Sequence, residues 1–198
     1  MTICLLLAAG SSSRMGKPKM LLPFNGKTFL QHAIDEIKKV KGSGLLVVTG
    51  CYHELLESIL SAQQIAFVEN KNWEKGIGPS IQEGVKYIVN HYSIADNIII
   101  LVCDQPYISS ALLNELIETK QQSGKGIIAS AYNGTMGTPV LFDKKYFEQL
   151  ALLNGQYGAK KIIQANQADV AEVAFPLGAV DIDTEEDYEK LHNNRGKS

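Results

Sequence analysis

Short hydrophobic runs and amphipathic segments alternate along the chain. Several runs are apolar at consecutive positions and end abruptly at small or polar residues, which is typical of β-strands buried on both faces. The run "NIIILV" at 97–102, for example, has no polar face to turn towards water. We therefore predict strands at 3–7, 45–48, 65–68, 97–102, 126–131, 139–142 and 170–174.

The segments between these runs carry apolar residues every three or four positions, the spacing of one face of an α-helix. We predict helices at 28–40, 53–60, 81–89, 109–121, 144–153, 159–165 and 184–192. Ser109 or Ser110 serves as an N-cap, and Thr184 followed by Asp187 is close to a capping box. Strands that alternate with helices predict an α/β fold. We expect a Rossmann-like three-layer fold, with a mostly parallel central sheet and helices on both faces, as a single domain over 1–198.

The composition is that of an ordinary globular protein: 198 residues, 45% hydrophobic and 20% charged. A formal net charge of −2 argues against nucleic acid or a membrane surface as a partner. The three cysteines, Cys4, Cys51 and Cys103, are widely spaced, which favours reduced thiols in a cytoplasmic protein. No apolar run is long enough to span a bilayer.

The loop after the first strand, "AAGSSSRMG" at 8–16, is the first candidate for chemistry. Small residues allow its backbone N–H groups to approach a ligand closely and to form an anion cradle. Arg14 can bind a phosphate with two donors, and Lys17 or Lys19 can add a point charge. Ligands of such sheets bind outside the carboxyl ends of the strands. The loop therefore suits a polyphosphate.

Two common phosphate loops do not match this segment. Pro18 stands where the Walker A pattern requires Ser or Thr, and Ser12 stands where the dinucleotide fingerprint requires its second glycine. The alternative interpretation is a basic surface loop without a ligand.

Two acidic stretches complete the candidate site. Asp104 lies just past the strand "NIIILV", where it would be beside a bound polyphosphate and its carboxylate can hold Mg²⁺. The alternative role for Asp104 is to start a turn before Pro106. Near the C-terminus, Asp181 and Asp183 lie two residues apart in an extended segment, and we expect one of them to reach a shared metal.

The segment "LAAGSSSRMGKPKMLL" at 7–22 resembles the signature L-A-[AG]-G-x-S-x-R-[MF]-G-x-x-K-x-L-L of the MobA-like nucleotidyltransferases. "CDQP" at 103–106 and "DIDTEED" at 181–187 resemble the C-D-[MQ]-P and D-I-D-T-P-E-D motifs of the same family. The resemblance extends over 3–191. Enzymes of this family couple a nucleoside triphosphate to a phosphorylated acceptor and release pyrophosphate.

The resemblance implies a role for each part of the site. It places the backbone of Ala9 and Gly10 near the base, the loop 12–14 on the β- and γ-phosphates, and Lys19 near the α-phosphate. "ENKNWEKGIGPSIQEG" at 69–84 resembles the family's nucleoside side more loosely. The implied nucleotide-binding residues are Leu7, Ala8, Ala9, Gly10, Ser12, Ser13, Arg14, Lys19, Asn72, Gly76 and Ser80. Arg14, Lys19 and Asp104 are the implied catalytic residues, and Asp104 and Asp183 the implied ligands of a Mg²⁺ cofactor.

The acceptor side departs from the family pattern. In "YNGTMGTPVLF", Thr138 stands where the family usually has His. In "LNGQYGAK", Gln156 replaces an acid and Lys160 an arginine. These departures concern the acceptor rather than the nucleotide.

The opening "AAG" and the "CDQP" motif resemble the molybdenum cofactor cytidylyltransferase branch, whereas the guanylyl branch usually reads L-A-G-G. The resemblance thus implies CTP as donor, molybdopterin as acceptor and a molybdenum hydroxylase as partner. An acceptor phosphate oxygen would attack the α-phosphorus of the nucleotide, which requires no protein nucleophile. The alternatives are a guanylyl or sugar-phosphate nucleotidyltransferase, and a non-catalytic nucleotide-binding accessory protein for molybdenum hydroxylase maturation.

Overall fold

The computed structural model describes the backbone of residues 1–193 and the side chains of residues 1–191. Its strands are β1 (Thr2–Leu7), β2 (Pro23–Phe24), β3 (Lys27–Thr28), β4 (Ser43–Thr49), β5 (Ala66–Glu69), β6 (Asn97–Val102), β7 (Ile127–Tyr132), β8 (Thr135–Asp143) and β9 (Val170–Ala174). Seven of them form one sheet in the order β5-β4-β1-β6-β8-β7-β9, and β2 pairs with β3 in a separate hairpin. Every predicted strand is present in this sheet.

The sheet is mostly parallel, as predicted. Parallel pairs join β5 to β4, β4 to β1, β1 to β6, and β7 to β9. Only β8 runs against its neighbours, because it is antiparallel to both β6 and β7. Its first residues, 135–137, lie beyond the part of β8 that pairs with β6 and pair with β7 alone.

Helices cover both faces of the sheet. They are α1 (Phe29–Lys38), α2 (His53–Ala62), α3 (Ile77–His91), α4 (Ser110–Ser123), α5 (Phe147–Ala151), α6 (Lys160–Ala165) and α7 (Glu185–Asn193). Buried side chains of α1, α2 and α4 form one core layer, and those of α3, α5 and α6 form the other. Within the part of the chain that the structure describes, no helix has both the length and the apolar character of a membrane span.

Strand β1 lies at the centre of both core layers. All six of its residues are buried. Leu6 belongs to the layer of Ile34 and Leu113, whereas Leu5 belongs to the opposite layer with Val85. An apolar residue at every position from 3 to 7 is the sequence pattern that such two-sided burial requires.

Several boundaries differ from the prediction. Helix α3 begins at Ile77 rather than at 81, because Pro79 lies in the first turn, where a missing N–H leaves no hydrogen bond unmade. The predicted helix 144–153 is a 3₁₀ turn at Lys144–Tyr146 followed by α5.

Of the two N-cap candidates for α4, Ser109 is the one observed. Its hydroxyl accepts a hydrogen bond from the N–H of Leu112 at 3.3 Å.

The β2–β3 hairpin was not predicted. Its turn residues, Asn25 and Gly26, have φ of 52° and 77°, as a two-residue turn of type I′ requires. The Asn-Gly pair is a strong hairpin signal, but strands of two residues carry too little alternation to be recognised. The hairpin packs through Phe24 against Phe29, with ring centroids 5.1 Å apart.

The parallel strands β5, β4, β1 and β6 end at the same edge of the sheet. The loops that follow them, together with the start of β8, therefore meet at this edge. Open α/β sheets bind their ligands in this position.

Asp169 directly precedes β9, at the edge of the sheet opposite the carboxyl ends of the parallel strands. Its Oδ2 accepts hydrogen bonds from Lys145 Nζ at 2.7 Å and from the Tyr146 hydroxyl at 2.6 Å. The two donors lower the pKa of Asp169 to about 2.

We expect Asp169→Asn to lower the free energy of unfolding at pH 7 by about 1 kcal/mol, less than the full pKa shift implies because solvent screens the pair. A carboxyl whose pKa falls on folding stabilises the fold above its unfolded pKa of about 3.9, and this stabilisation disappears as the pH falls towards 2. Urea denaturation at a series of pH values measures the difference between the variant and the parent protein. A difference that stays constant between pH 5 and pH 2 would contradict this account.

Candidate active site

A cavity of about 500 Å³ opens at the carboxyl edge of the parallel strands. This volume lies within the range of small-molecule binding sites. Its walls include most of the residues that the sequence assigns to the nucleotide: Leu7, Ala8, Ala9, Gly10, Ser12, Ser13, Arg14, Lys19, Gly76 and Ser80. Both predicted metal ligands, Asp104 and Asp183, line the same cavity.

The loop after β1 is closed on itself around Ser12. The hydroxyl of Ser12 accepts a hydrogen bond from the Lys19 N–H at 3.0 Å, and its carbonyl accepts one from the Met15 N–H at 2.9 Å. Ser12 has a φ of 51°, a left-handed conformation that its two hydrogen bonds hold. The Tyr52 hydroxyl fixes the loop from outside by donating to the Ser11 carbonyl at 2.8 Å. The loop thereby presents Arg14 and Lys19 to the cavity.

Lys19 forms the centre of an ionic cluster. Its Nζ lies 2.7 Å from Asp104 Oδ2 and 3.0 Å from Asp183 Oδ1. Arg14 Nη2 lies 2.9 Å from the other oxygen of Asp183. Burial of the Lys19 ammonium opposes its charge, but the two carboxylates outweigh this effect and raise the pKa of Lys19. The cluster therefore holds two cations against two carboxylates.

The carboxylates fit a hard divalent cation. Asp104 Oδ1 is buried and has no hydrogen-bond partner, so it is available as a metal ligand. Among the residues that the structure describes, no three His, Cys, Asp or Glu side chains gather into a metal site. Mg²⁺ commonly takes one or two carboxylates and completes its six ligands with phosphate oxygens and water. Asp104 and Asp183 suit a metal of this kind, one that arrives with a phosphate ligand.

Backbone contacts fix the position of Asp183. The N–H of the buried Ile182 donates to the Asp104 carbonyl at 3.1 Å, which ties this segment to the end of β6. The capping box predicted before the last helix is present. The Asp187 N–H donates to the Thr184 hydroxyl at 3.2 Å, and the Thr184 N–H donates to Asp187 Oδ2 at 2.9 Å.

Two residues next to the proposed metal ligands, Asp181 and Cys103, have raised pKa values. Partial desolvation of its carboxyl, together with the charges of Asp104 and Asp183, raises the pKa of Asp181 to about 6. Unlike Asp183, Asp181 is not among the residues lining the cavity. Burial also raises the pKa of the Cys103 thiol, with a further contribution from Asp104. This shift favours the neutral thiol form of Cys103 over the nucleophilic thiolate.

The nucleoside side differs from the sequence assignment at one residue. Asn72 is exposed and is not among the residues that line the cavity. Asn70 is fully buried instead, and its Nδ2 donates to the Ser80 hydroxyl at 2.9 Å. The Oδ1 of Asn70 accepts from the Asn72 N–H at 2.9 Å. Asn70, which directly follows β5, is thus the asparagine that orients Ser80.

Two glycine-rich segments meet at the cavity wall. Gly76 has a φ of +111°, and a Cβ at this position would lie 2.5 Å from the Gly155 carbonyl oxygen. The Gly78 N–H donates to the same oxygen at 3.0 Å. This contact brings Gln156 into the cavity lining. This contact could not be predicted from local patterns, because the two segments lie far apart in the chain.

On the acceptor side, Thr138 lies in β8 and is not among the cavity-lining residues. Burial raises the pKa of Tyr132, and hydrogen bonding to Thr138 opposes this shift. The neighbouring Gln105 is buried and donates from Nε2 to the Gly178 carbonyl at 3.0 Å. Thr138, beside Tyr132, thus stands where related sequences usually carry His.

Comparisons with known proteins show the family of this chain. A model of the MobA-like NTP transferase domain matches residues 4–170. The purine catabolism protein PucB of Bacillus subtilis (strain 168) is 32% identical over 200 residues, which cover 96% of this chain and 95% of PucB. The bifunctional protein GlmU of Francisella philomiragia is 32% identical over 141 residues, and these cover 70% of this chain but only 30% of GlmU.

Solved structures show the same fold. Rv0371c from Mycobacterium tuberculosis has a TM-score of 0.79 at 26% identity, with 96% of this chain and 97% of that chain covered. Its complex with manganese has a TM-score of 0.76 at 24% identity and the same coverage.

The fold and the site define a nucleotide-binding α/β protein of the nucleotidyltransferase class. The match over 4–170 and the full-length similarity to PucB place it more narrowly: the chain belongs to the MobA-like NTP transferase family. Its reaction class is the transfer of a nucleoside monophosphate from a nucleoside triphosphate.

We expect Gly76→Ala to destabilise the protein by more than about 2 kcal/mol, because it combines a left-handed φ with a backbone clash. Gly134→Ala is the matched control, since Gly134 has a φ of +69° but no atom within 4 Å of the added Cβ. That variant should lose only about 1 kcal/mol, the cost of the conformation itself. Equal losses in urea denaturation would show that the contact with Gly155 does not constrain the wall.

Proposed function

We propose that this protein transfers CMP from CTP to molybdopterin, with Mg²⁺ as its cofactor and pyrophosphate as the second product. The observation that carries the proposal is the pairing of Lys19 with Asp104 and Asp183 inside the cavity of the opening loop. A metal–triphosphate complex requires cations for its phosphates and carboxylate oxygens for its metal. In this cluster, the Lys19 ammonium lies within 3.0 Å of an oxygen of each carboxylate.

In the proposed reaction, a phosphate oxygen of the acceptor attacks the α-phosphorus of CTP in line with the leaving group. The bond from the α-phosphorus to the bridging oxygen breaks, and pyrophosphate leaves with that oxygen. Such transfers depend on positioning and on neutralisation of charge rather than on a protein nucleophile. Arg14 and the backbone of 12–14 would bind the β- and γ-phosphates, and Lys19 would bind the α-phosphate.

Asp104 and Asp183 are the proposed ligands of Mg²⁺. When bound, the metal polarises the α-phosphate and neutralises charge on the leaving pyrophosphate. The unpartnered Oδ1 of Asp104 supports this assignment. The manganese complex of Rv0371c, a protein of similar fold, supports a divalent cation in general.

The choice of CTP and molybdopterin rests on sequence motifs. The segment "AAG" at 8–10 lines the cavity, as a base-contacting segment should. The name of PucB refers to purine catabolism. Xanthine is a purine, which supports a molybdenum hydroxylase of the xanthine-dehydrogenase kind as the enzyme that receives the product. The free cysteines Cys4, Cys51 and Cys103 support the cytoplasm as the compartment.

A second candidate is an accessory protein that binds nucleotide without turnover. Gln156 favours it, because this amide lines the cavity where the family usually places an acid. A nucleotidyltransferase releases pyrophosphate, whereas an accessory protein binds the nucleotide without releasing pyrophosphate.

We expect Asp104→Asn to abolish pyrophosphate release in the presence of Mg²⁺, with a loss of about 100-fold or more, because an amide cannot replace the charge of the metal ligand. A coupled pyrophosphate assay with CTP and molybdopterin measures this loss, and circular dichroism verifies the fold.

The matched control is Asp96→Asn. Asp96 directly precedes β6, at the strand's other end, where it pairs with the N-terminal amine at 2.8 Å. This variant should keep its pyrophosphate release. Turnover near that of the parent protein in Asp104→Asn would refute the metal role.

Thermal unfolding with CTP, GTP, UTP and ATP, each with and without Mg²⁺, tests the donor. A ligand at about 100 times its Kd stabilises the folded protein by about 2.7 kcal/mol, which a melting curve resolves. We expect the largest Mg²⁺-dependent shift with CTP. A larger shift with GTP or UTP would contradict CTP as the donor and would assign the protein to another branch of nucleotidyltransferases.

A further inference from the structure

We propose that Lys19 is a built-in competitor of the divalent metal, and that nucleotide phosphates release the metal ligands by drawing Lys19 away. Metal and nucleotide would then bind cooperatively, each poorly alone. This inference rests on the proposed function, because it assigns the metal to Asp104 and Asp183.

The geometry of the site places cations on the proposed metal ligands. Lys19 Nζ contacts one oxygen of Asp104 and one of Asp183, at 2.7 Å and 3.0 Å. Arg14 contacts the second oxygen of Asp183 at 2.9 Å. Only Asp104 Oδ1 has no partner among the four carboxylate oxygens. A divalent cation that binds both carboxylates must therefore displace the ammonium or accept its repulsion at close range.

The competing ammonium is shielded from solvent. The Lys19 side chain is 17% exposed and that of Asp104 is 23% exposed, so water screens their attraction less than in a surface ion pair. By contrast, Lys17 pairs with Glu185 at 2.9 Å, with side chains that are 43% and 57% exposed. The same loop thus supplies a shielded lysine that contacts Asp104 and Asp183 and an exposed lysine that contacts neither.

A polyphosphate would relieve the competition. Lys19 and Arg14 line the same cavity as the backbone of the opening loop, so phosphate oxygens bound there would be alternative acceptors for both cations. Each cation that turns to a phosphate frees carboxylate oxygens for the metal. Because such coupling is reciprocal, the metal must strengthen nucleotide binding by the same factor.

A purely structural role for Lys19 predicts the opposite sign. If the ammonium served only to hold Asp104 and Asp183 in place, its removal would loosen the metal ligands and weaken metal binding. If it competes, its removal leaves Asp104 without a counter-charge and Asp183 with Arg14 alone, and metal binding strengthens.

The test is a Mn²⁺ titration of the full chain without nucleotide, with free Mn²⁺ followed by electron paramagnetic resonance. We expect Lys19→Met to bind Mn²⁺ at least about tenfold more tightly than the parent protein, because the repulsion of one close ammonium is removed. Lys17→Met is the control, and its affinity should change by less than about twofold because exposed pairs are screened. Equal or weaker binding by Lys19→Met overturns the proposal. Lys19→Gln, judged against the parent by circular dichroism, provides a second charge-free variant should the methionine variant fail to fold.

The second part of the test adds pyrophosphate as a probe of the phosphate site. In the parent protein it should strengthen Mn²⁺ binding by a larger factor than in Lys19→Met, where no ammonium remains to be drawn away. Equal factors would also overturn the proposal. A protein that binds no nucleotide would refute the proposed function, whereas the comparison without nucleotide would still decide the role of Lys19.

Discussion

The contacts of one ammonium group, Lys19 Nζ, define the site. They join three parts of the chain that are remote in sequence: the loop after β1, the end of β6 and the segment before α7. Exposed ion pairs contribute little to structure, but this group is largely shielded and has two carboxylate partners. Around it, Ser12 and the Ile182 backbone hold the flanking segments by uncharged hydrogen bonds. The ion pairs and the backbone hydrogen bonds thus hold the same three segments together.

The sheet explains why these groups meet. Four parallel strands end at one edge, so the loops that follow them lie side by side whatever their distance in sequence. The core does not depend on these loops, because β1 is buried by apolar side chains on both faces. The edge is therefore free to carry charges that a buried core could not tolerate. A site of mixed charge at such an edge suits a ligand that is itself an anion bound to a cation.

Much of this arrangement could be predicted from the sequence, and the failures have physical causes. The opening loop and Asp104 were predicted because each follows a buried strand, whereas Asp183 was predicted from the resemblance to a family motif; the structure brings all three into one cavity. The contact of Gly76 with Gly155 was not predictable, since long-range packing leaves no local pattern. Nor could the sequence show that Asn70, rather than Asn72, orients Ser80, because two nearby asparagines are equivalent until burial separates them.

The central claim is that this cavity transfers a nucleotidyl group, so the most direct measurement is which phosphate bond breaks. Incubation of CTP with Mg²⁺, molybdopterin and the protein, followed by ³¹P nuclear magnetic resonance of the products, answers this question. The account predicts pyrophosphate and a new diphosphate diester that contains CMP, in equal amounts. Unchanged CTP with every phosphorylated acceptor, or release of inorganic phosphate through cleavage of the β–γ bond, would contradict it.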